Sequence, residues 1–115
     1  MDAETTRRLL ALVGLGVRGR GAVIGVQQVR EAVKRGKLFI AIAAPDASKN
    51  SLEKFVPLVQ ARGITVFAGP PAAELGAAVG RDAAAVVGIV DRGLAKGIRA
   101  LSLDPMPDGR KEELG

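Results

Sequence analysis

Gly25-Val-Gln-Gln-Val-Arg-Glu-Ala-Val-Lys-Arg-Gly36, followed after Lys37 by Leu38-Phe-Ile-Ala-Ile-Ala43, is the stretch on which the fold turns. Val26, Val29 and Val33 recur at helical spacing and share one face, while Gln27, Gln28, Arg30, Glu31 and Lys34 cover the rest. Gly25 opens this helix, and Gly36 stops it, as glycine commonly does just past a helix C-terminus. Leu38 to Ala43 is a continuous apolar run, the mark of a strand covered on both faces. A helix feeding a doubly covered strand belongs to a layered α/β protein.

The same alternation extends outward in both directions. Residues 2–13 read as helix, with Asp2 able to cap and Leu9, Leu12 and Val13 on one face. Gly14-Leu-Gly-Val-Arg-Gly-Arg-Gly21 is predicted as a loop, because its glycine density opposes any regular element. Ala22–Ile24 is a short strand. Beyond Ala43, Asn50-Ser-Leu-Glu53 resembles a capping box that opens a helix to Arg62, stopped by Gly63. Pro57 should kink or restart that helix. Ile64–Phe67 is a strand, Gly69-Pro70-Pro71 a stiff loop, and Ala72–Val79 a short helix ended by Gly80. Ala84–Val90 is a strand, and a last helix runs from Asp91 to about Leu103. Four strands interleaved with five helices predict a three-layer α/β/α sandwich around a four-stranded mixed sheet. Residues 1–103 form the single domain, and 104–115, with two prolines and mixed charges, are predicted as a mobile tail.

At 115 residues the chain is one domain, long enough to bury a core without metals or crosslinks. It contains no Cys and no His, which removes disulfide scaffolds, zinc fingers and every Ser–His or Cys–His mechanism. No apolar run reaches membrane-spanning length, and the absence of Cys fits a cytoplasmic protein. Asp46, Glu53, Asp82 and Asp91 stand at helix starts, where capping explains them, and Ser48, Ser51, Thr65 and Ser102 lack an activating partner. No catalytic residue, metal ligand or cofactor site is predicted.

The net charge of +5 is unevenly placed. Arg7, Arg8, Arg18, Arg20, Arg30, Lys34, Arg35 and Lys37 crowd one third of the chain with Glu31 as the sole acid among them. A segregated positive surface attracts polyanions, nucleic acid above all. Gly14-Leu-Gly16-Val-Arg-Gly19 matches a three-glycine dinucleotide pattern. It follows a helix rather than a strand, and Lys34 stands where an acidic ribose ligand belongs. The Gly25 helix is more informative, since glycine admits close approach and the first-turn amides make an anion site. Its glutamines can read base edges, and Arg18, Arg20, Arg30 and Lys34 can neutralise phosphates.

Gly25–Gly36 resembles the signature helix of the ribosomal L7Ae/L30e family of kink-turn RNA-binding proteins. Further matches follow in order: Leu38–Asp46, Phe55-Val-Pro57-Leu-Val, and Glu74-Leu-Gly76-Ala-Ala-Val-Gly80. The resemblance covers roughly residues 5 to 103, and Gly14–Gly21 with Asp46-Ala-Ser-Lys-Asn50 look most like the bacterial YlxQ-type branch. It implies a non-enzymatic protein that grips a sharply bent RNA, ribosomal or ribosome-associated, with neither DNA nor membrane as partner. It further implies that the Gly25 helix enters the widened groove, that Gln27 and Gln28 contact the sheared pairs, and that Gly69-Pro70-Pro71 covers a flipped-out base. Gln27, Gln28 and Glu31 depart from the family's usual Asn, Glu and Lys. The runner-up reading is a protein-interaction domain of the same fold that has lost specific RNA binding.

Overall fold

The computed structural model describes residues 1–107. Its elements are α1 (Ala3–Arg18), β1 (Ala22–Ile24), α2 (Val26–Lys34), β2 (Ile40–Ala43), α3 (Lys49–Ala61), β3 (Val66–Ala68), α4 (Ala72–Ala78), β4 (Val86–Ile89) and α5 (Arg92–Arg99). The four strands form one mixed sheet in the order β1-β4-β2-β3. β4 runs antiparallel to both β1 and β2, and β3 runs parallel to β2.

Strand periodicity divides the core into two halves. Ile40, Ile42, Val87 and Ile89 point to one face, where they meet Leu9 and Val13 of α1, Leu75 of α4, and Ala95 and Ile98 of α5. Ala41, Ala43 and Val86 point to the other, against Val29 and Val33 of α2 and Phe55 and Val59 of α3. This is the expected α/β/α sandwich, and the valines of the Gly25 helix lie on its inner face. Each fully buried valine removes enough apolar surface from water to contribute roughly 1.5–3 kcal/mol.

Three helices end as the sequence reading expects. Gly36, Gly63 and Gly80 all have positive φ, and the next amide in each case closes back onto the helix: Lys37 N–H on Ala32 O, Ile64 N–H on Val59 O and Arg81 N–H on Gly76 O. Asp2 caps α1, its Oδ1 accepting the Thr5 amide at 2.7 Å.

Four local expectations are corrected. Gly14–Gly21 is not a loop throughout, because α1 continues to Arg18. Isolated glycines weaken a helix by up to about 1 kcal/mol each, but here they permit contact: a Cβ on Gly16 would lie 2.4 Å from Leu94 Cδ2. Burial of α1 against α5 outweighs the local preference. The N-cap of α3 is Ser48 rather than Asn50, with Ser48 Oγ accepting the Ser51 amide at 3.1 Å. Pro57 does not restart the helix; α3 runs through it to Ala61. The last helix stops at Arg99, short of Leu103.

The segment predicted as a tail is tied down where it begins. Ala68 N–H donates to Asp104 O, Met106 N–H donates to Val66 O, and Pro105 pairs antiparallel with Phe67. Residues 104–106 therefore cover the outer edge of β3, which would otherwise offer unpaired amides and carbonyls. The rest of that predicted tail, 108–115, lies outside the described residues.

Candidate functional site

Because β1 and β4 are neighbours, the connection leaving β1 and the connection entering β4 meet at one end of the sheet. Gly25 N–H donates to Val86 O there at 2.9 Å. Gly25 has φ 93° and ψ 163°, a conformation essentially reserved for glycine, and nothing lies within 4 Å of the position a Cβ would occupy. The chain thus turns sharply from β1 into α2 and leaves the helix N-terminus open. The amides of Val26, Gln27 and Gln28 have no carbonyl within the helix to reach, and they carry the positive end of its dipole.

An open recess of about 620 Å³ lies along this face, lined by Ile24, Gly25, Val26, Gln27, Gln28, Glu31, Arg35 and Arg81. Gln28 Oε1 accepts the Ile24 amide at 2.9 Å, which leaves its NH2 group as a donor towards the recess. Glu31 pairs with Arg35 at 3.3 Å on the exposed helix surface. Arg81 comes from the turn after Gly80, whose left-handed backbone carries the chain from α4 back to the end of the sheet. The recess therefore combines open amides, two carboxamides and two guanidiniums around a single carboxylate. That set binds anions and hydrogen-bonds planar polar edges.

Of the residues singled out from sequence, the recess gathers Gly25, Gln27, Gln28 and Glu31. The others lie elsewhere. Arg30 donates to Lys54 O, tying α2 to α3 one turn before Pro57. Lys34 is exposed at the far end of α2. Arg18 and Arg20 precede β1, so they sit at the opposite end of the sheet from Gly25 and not beside it. Gly69 and Pro70 are buried; a Cβ on Gly69 would meet Ile42 Cγ2 at 2.6 Å, and only Pro71 of that loop is exposed. The loop is held by packing and by two hydrogen bonds, Gly69 N–H to Ala43 O and Ala72 N–H to Asp46 Oδ1.

Of the two recess cations that the sequence reading did not assign to RNA contact, Arg35 was visible in the basic cluster and beside Glu31, and Arg81 was missed altogether. Its one signal was its place immediately after Gly80, the last residue of a stretch already singled out. The basic residues clustered in sequence are also dispersed in space. Arg7 and Arg8 are engaged by Glu4, and α1 and α2 lie on opposite faces of the sheet.

A family model for the ribosomal protein L7Ae/L30e/S12e/Gadd45 family matches residues 8–98, which takes in every strand and the whole recess. The chain belongs to that family. A protein of unknown function from Bacillus halodurans is similar at 29% identity and a TM-score of 0.75, over 81% of this chain and 94% of its own. The Giardia lamblia 15.5kD RNA binding protein shares the fold at 22% identity and a TM-score of 0.73, over 86% of this chain and 85% of its own. No curated protein matches the chain. Among the described residues, no helix is long and apolar enough to cross a membrane.

Proposed function

We propose that this L7Ae/L30e-family chain is a non-enzymatic, cytoplasmic RNA-binding module of the bacterial YlxQ type. Its target is a structured, sharply bent RNA of the kink-turn kind, ribosomal or ribosome-associated. The observation that carries the reading is the composition of the recess: Gln27, Gln28, Arg35 and Arg81 line one face together with the open N-terminus of α2. Open amides and guanidiniums suit phosphate oxygens, and carboxamides suit the exposed edges of unpaired or sheared bases. Gly25, having no side chain, lets the RNA backbone approach the first turn of the helix. The module's work is to stabilise one bent RNA conformation by binding it better than the extended one.

The test compares the purified protein's affinity for a kink-turn RNA with that for a straight duplex of equal length, across a salt series. Tighter binding to the kink-turn, with log K falling steeply against log[salt], is the expected result. No binding to either RNA at low salt overturns the reading. Equal affinities for the two RNAs overturn the specificity for bent RNA.

A further inference from the structure

The two ends of the sheet differ sharply in charge. At the recess end, the connections adjoining the strands are Gly25, residues 44–48, residues 69–71 and residues 79–85; Arg81 is their one cation, against Asp46 and Asp82. At the other end lie the segments 18–21, 36–39, 62–65 and 90–92, which carry Arg18, Arg20, Lys37, Arg62 and Arg92 against the single acid Asp91. Asp91 is spent on its own helix, its Oδ2 accepting the Leu94 amide at 2.8 Å.

Register brings these segments together although they are far apart in sequence. Ala22 and Ile40 both pair with Ile89, and Ala41 pairs with Val66, so β1, β2 and β3 begin where β4 ends. Val90 N–H donates to Gly21 O, Phe39 N–H to Ile89 O and Ala41 N–H to Thr65 O, stitching the four connections side by side. Taken in sheet order, each strand contributes at least one exposed cation: Arg20, with Arg18 before it, at β1, Arg92 at β4, Lys37 at β2 and Arg62 at β3. Neighbouring strands lie about 4.8 Å apart, so this row spans roughly 14 Å at the backbone. Two features hold it in shape: Arg92 lies over the Phe39 ring at 5.8 Å, and Arg99 donates to Phe39 O at 3.1 Å. The side chains of Arg20, Lys37 and Arg62 make no ion pair or hydrogen bond with any described residue.

We propose that this basic end of the sheet is a second RNA-contacting surface. It engages the phosphate backbone of a duplex segment without reading sequence, from the end of the sheet opposite the α2 recess. A row of unpaired cations crossing one end of a sheet matches a ladder of phosphates better than it matches any single small anion. The choice of RNA as the polyanion rests on the functional reading above, whereas the surface itself is given by topology and charge. The two ends then have separate duties: the recess discriminates bent from straight RNA, and the basic row adds affinity common to both.

The experiment uses the full chain, the same kink-turn RNA and straight duplex, and two variants. The first is the triple variant Arg20→Gln, Lys37→Gln, Arg62→Gln, which removes the charges while keeping an unbranched polar side chain and, at Arg20 with its φ of 61°, leaves the backbone no more strained. The second is Gln27→Ala in the recess. The triple variant is expected to bind both RNAs more weakly by a similar factor, roughly ten- to a hundredfold at 0.1 M salt, with a salt slope shallower by about 2 to 3. Gln27→Ala is expected to weaken kink-turn binding alone and leave the slope unchanged. Circular dichroism and the melting midpoint report whether the triple variant is folded; should it not be, each single variant is expected to lower the slope by about 1. If the wild type prefers the kink-turn but the charge variants bind both RNAs as it does, the second surface is overturned and its cations answer to some other polyanion. If the wild type binds neither RNA, the functional reading fails and the surface with it.

Discussion

Gln28 Oε1 accepts the backbone amide of Ile24 at 2.9 Å, across the turn that joins β1 to α2. Gly25 donates to β4, so the Ile24 amide before it points to the open side of this edge strand, where Gln28 meets it. One carboxamide therefore blunts a sheet edge with its oxygen and offers its nitrogen to the recess. Gln27, one residue earlier and exposed, has no such structural duty.

Replacing the two glutamines separately should part structure from recognition. Gln28→Ala is expected to cost about 1 kcal/mol of folding stability through loss of that hydrogen bond. Gln27→Ala is expected to leave stability within about 0.5 kcal/mol of wild type, as surface changes usually do, while lowering kink-turn affinity. Urea denaturation and RNA titration of each variant check the pair; equal stability losses would mean that Gln27 has a structural partner too.

Two helical glycines should respond in opposite directions to alanine. A Cβ on Gly76 would lie 2.5 Å from Ala83 Cα and 2.6 Å from Ala83 N, so the backbone leading to the recess must move. Gly76→Ala is expected to destabilise by about 2 kcal/mol, in the range for overpacking. On Gly97 the added methyl would meet Leu12 Cδ1 at an ordinary 3.9 Å. Gly97→Ala is expected to stabilise by up to about 1 kcal/mol through helix propensity alone. Denaturant midpoints decide, and a gain at Gly76 would show the α4–β4 turn to be slack.

Glu31 is the one carboxylate lining the recess, and it holds Arg35. Glu31→Lys removes a repulsion towards phosphate, adds a cation and releases the Arg35 guanidinium. Kink-turn affinity is expected to rise by about tenfold or more at moderate salt, equivalent to roughly 1.4 kcal/mol. A straight duplex of equal length serves as the control. The same gain on both RNAs would mean that position 31 does not face the bend.

The start of α1 should govern part of the acid response. The Thr5 amide, bonded to Asp2, holds that carboxyl below its ordinary value of 3.8; bonds from Arg7 and then Arg8 hold Glu4 below 4.5. A carboxyl depressed by folding contributes fully above its unfolded value, and the contribution is lost as pH falls through the folded one. Stability from these two groups is therefore expected to be constant above about pH 4.5 and to decline below it. The variant Asp2→Asn, Glu4→Gln should lose stability less steeply over that acid range in a pH series of thermal melts. A profile identical to wild type would place the acid response elsewhere.

Much of the site's frame was readable from residues. The apolar spacing of Val29 and Val33 identified the buried face of α2, and Gly36, Gly63 and Gly80 marked three helix ends, because each signal depends only on neighbours along the chain. Gly25, Gln27, Gln28 and Glu31 could be grouped for the same reason: fewer than two turns of one helix span them. Arg81 could not be grouped with them, since only the pairing of β1 with β4 brings its turn beside Gly25.

Sequence by itself determined the alternation of five helices and four strands, the two-faced burial of β2 and the open start of α2, all consequences of local sterics and periodicity. Tertiary structure decided that α1 runs on through Gly14 and Gly16, because those positions touch Ala78 and Leu94 from distant helices. It also decided where the charges went. Basic residues contiguous in the chain were parted between two faces and two ends of the sheet, and a row of cations was assembled from four separate connections. Strand order sets which loops become neighbours, and hydrogen-bond pairing between strands is a long-range interaction that no local pattern encodes.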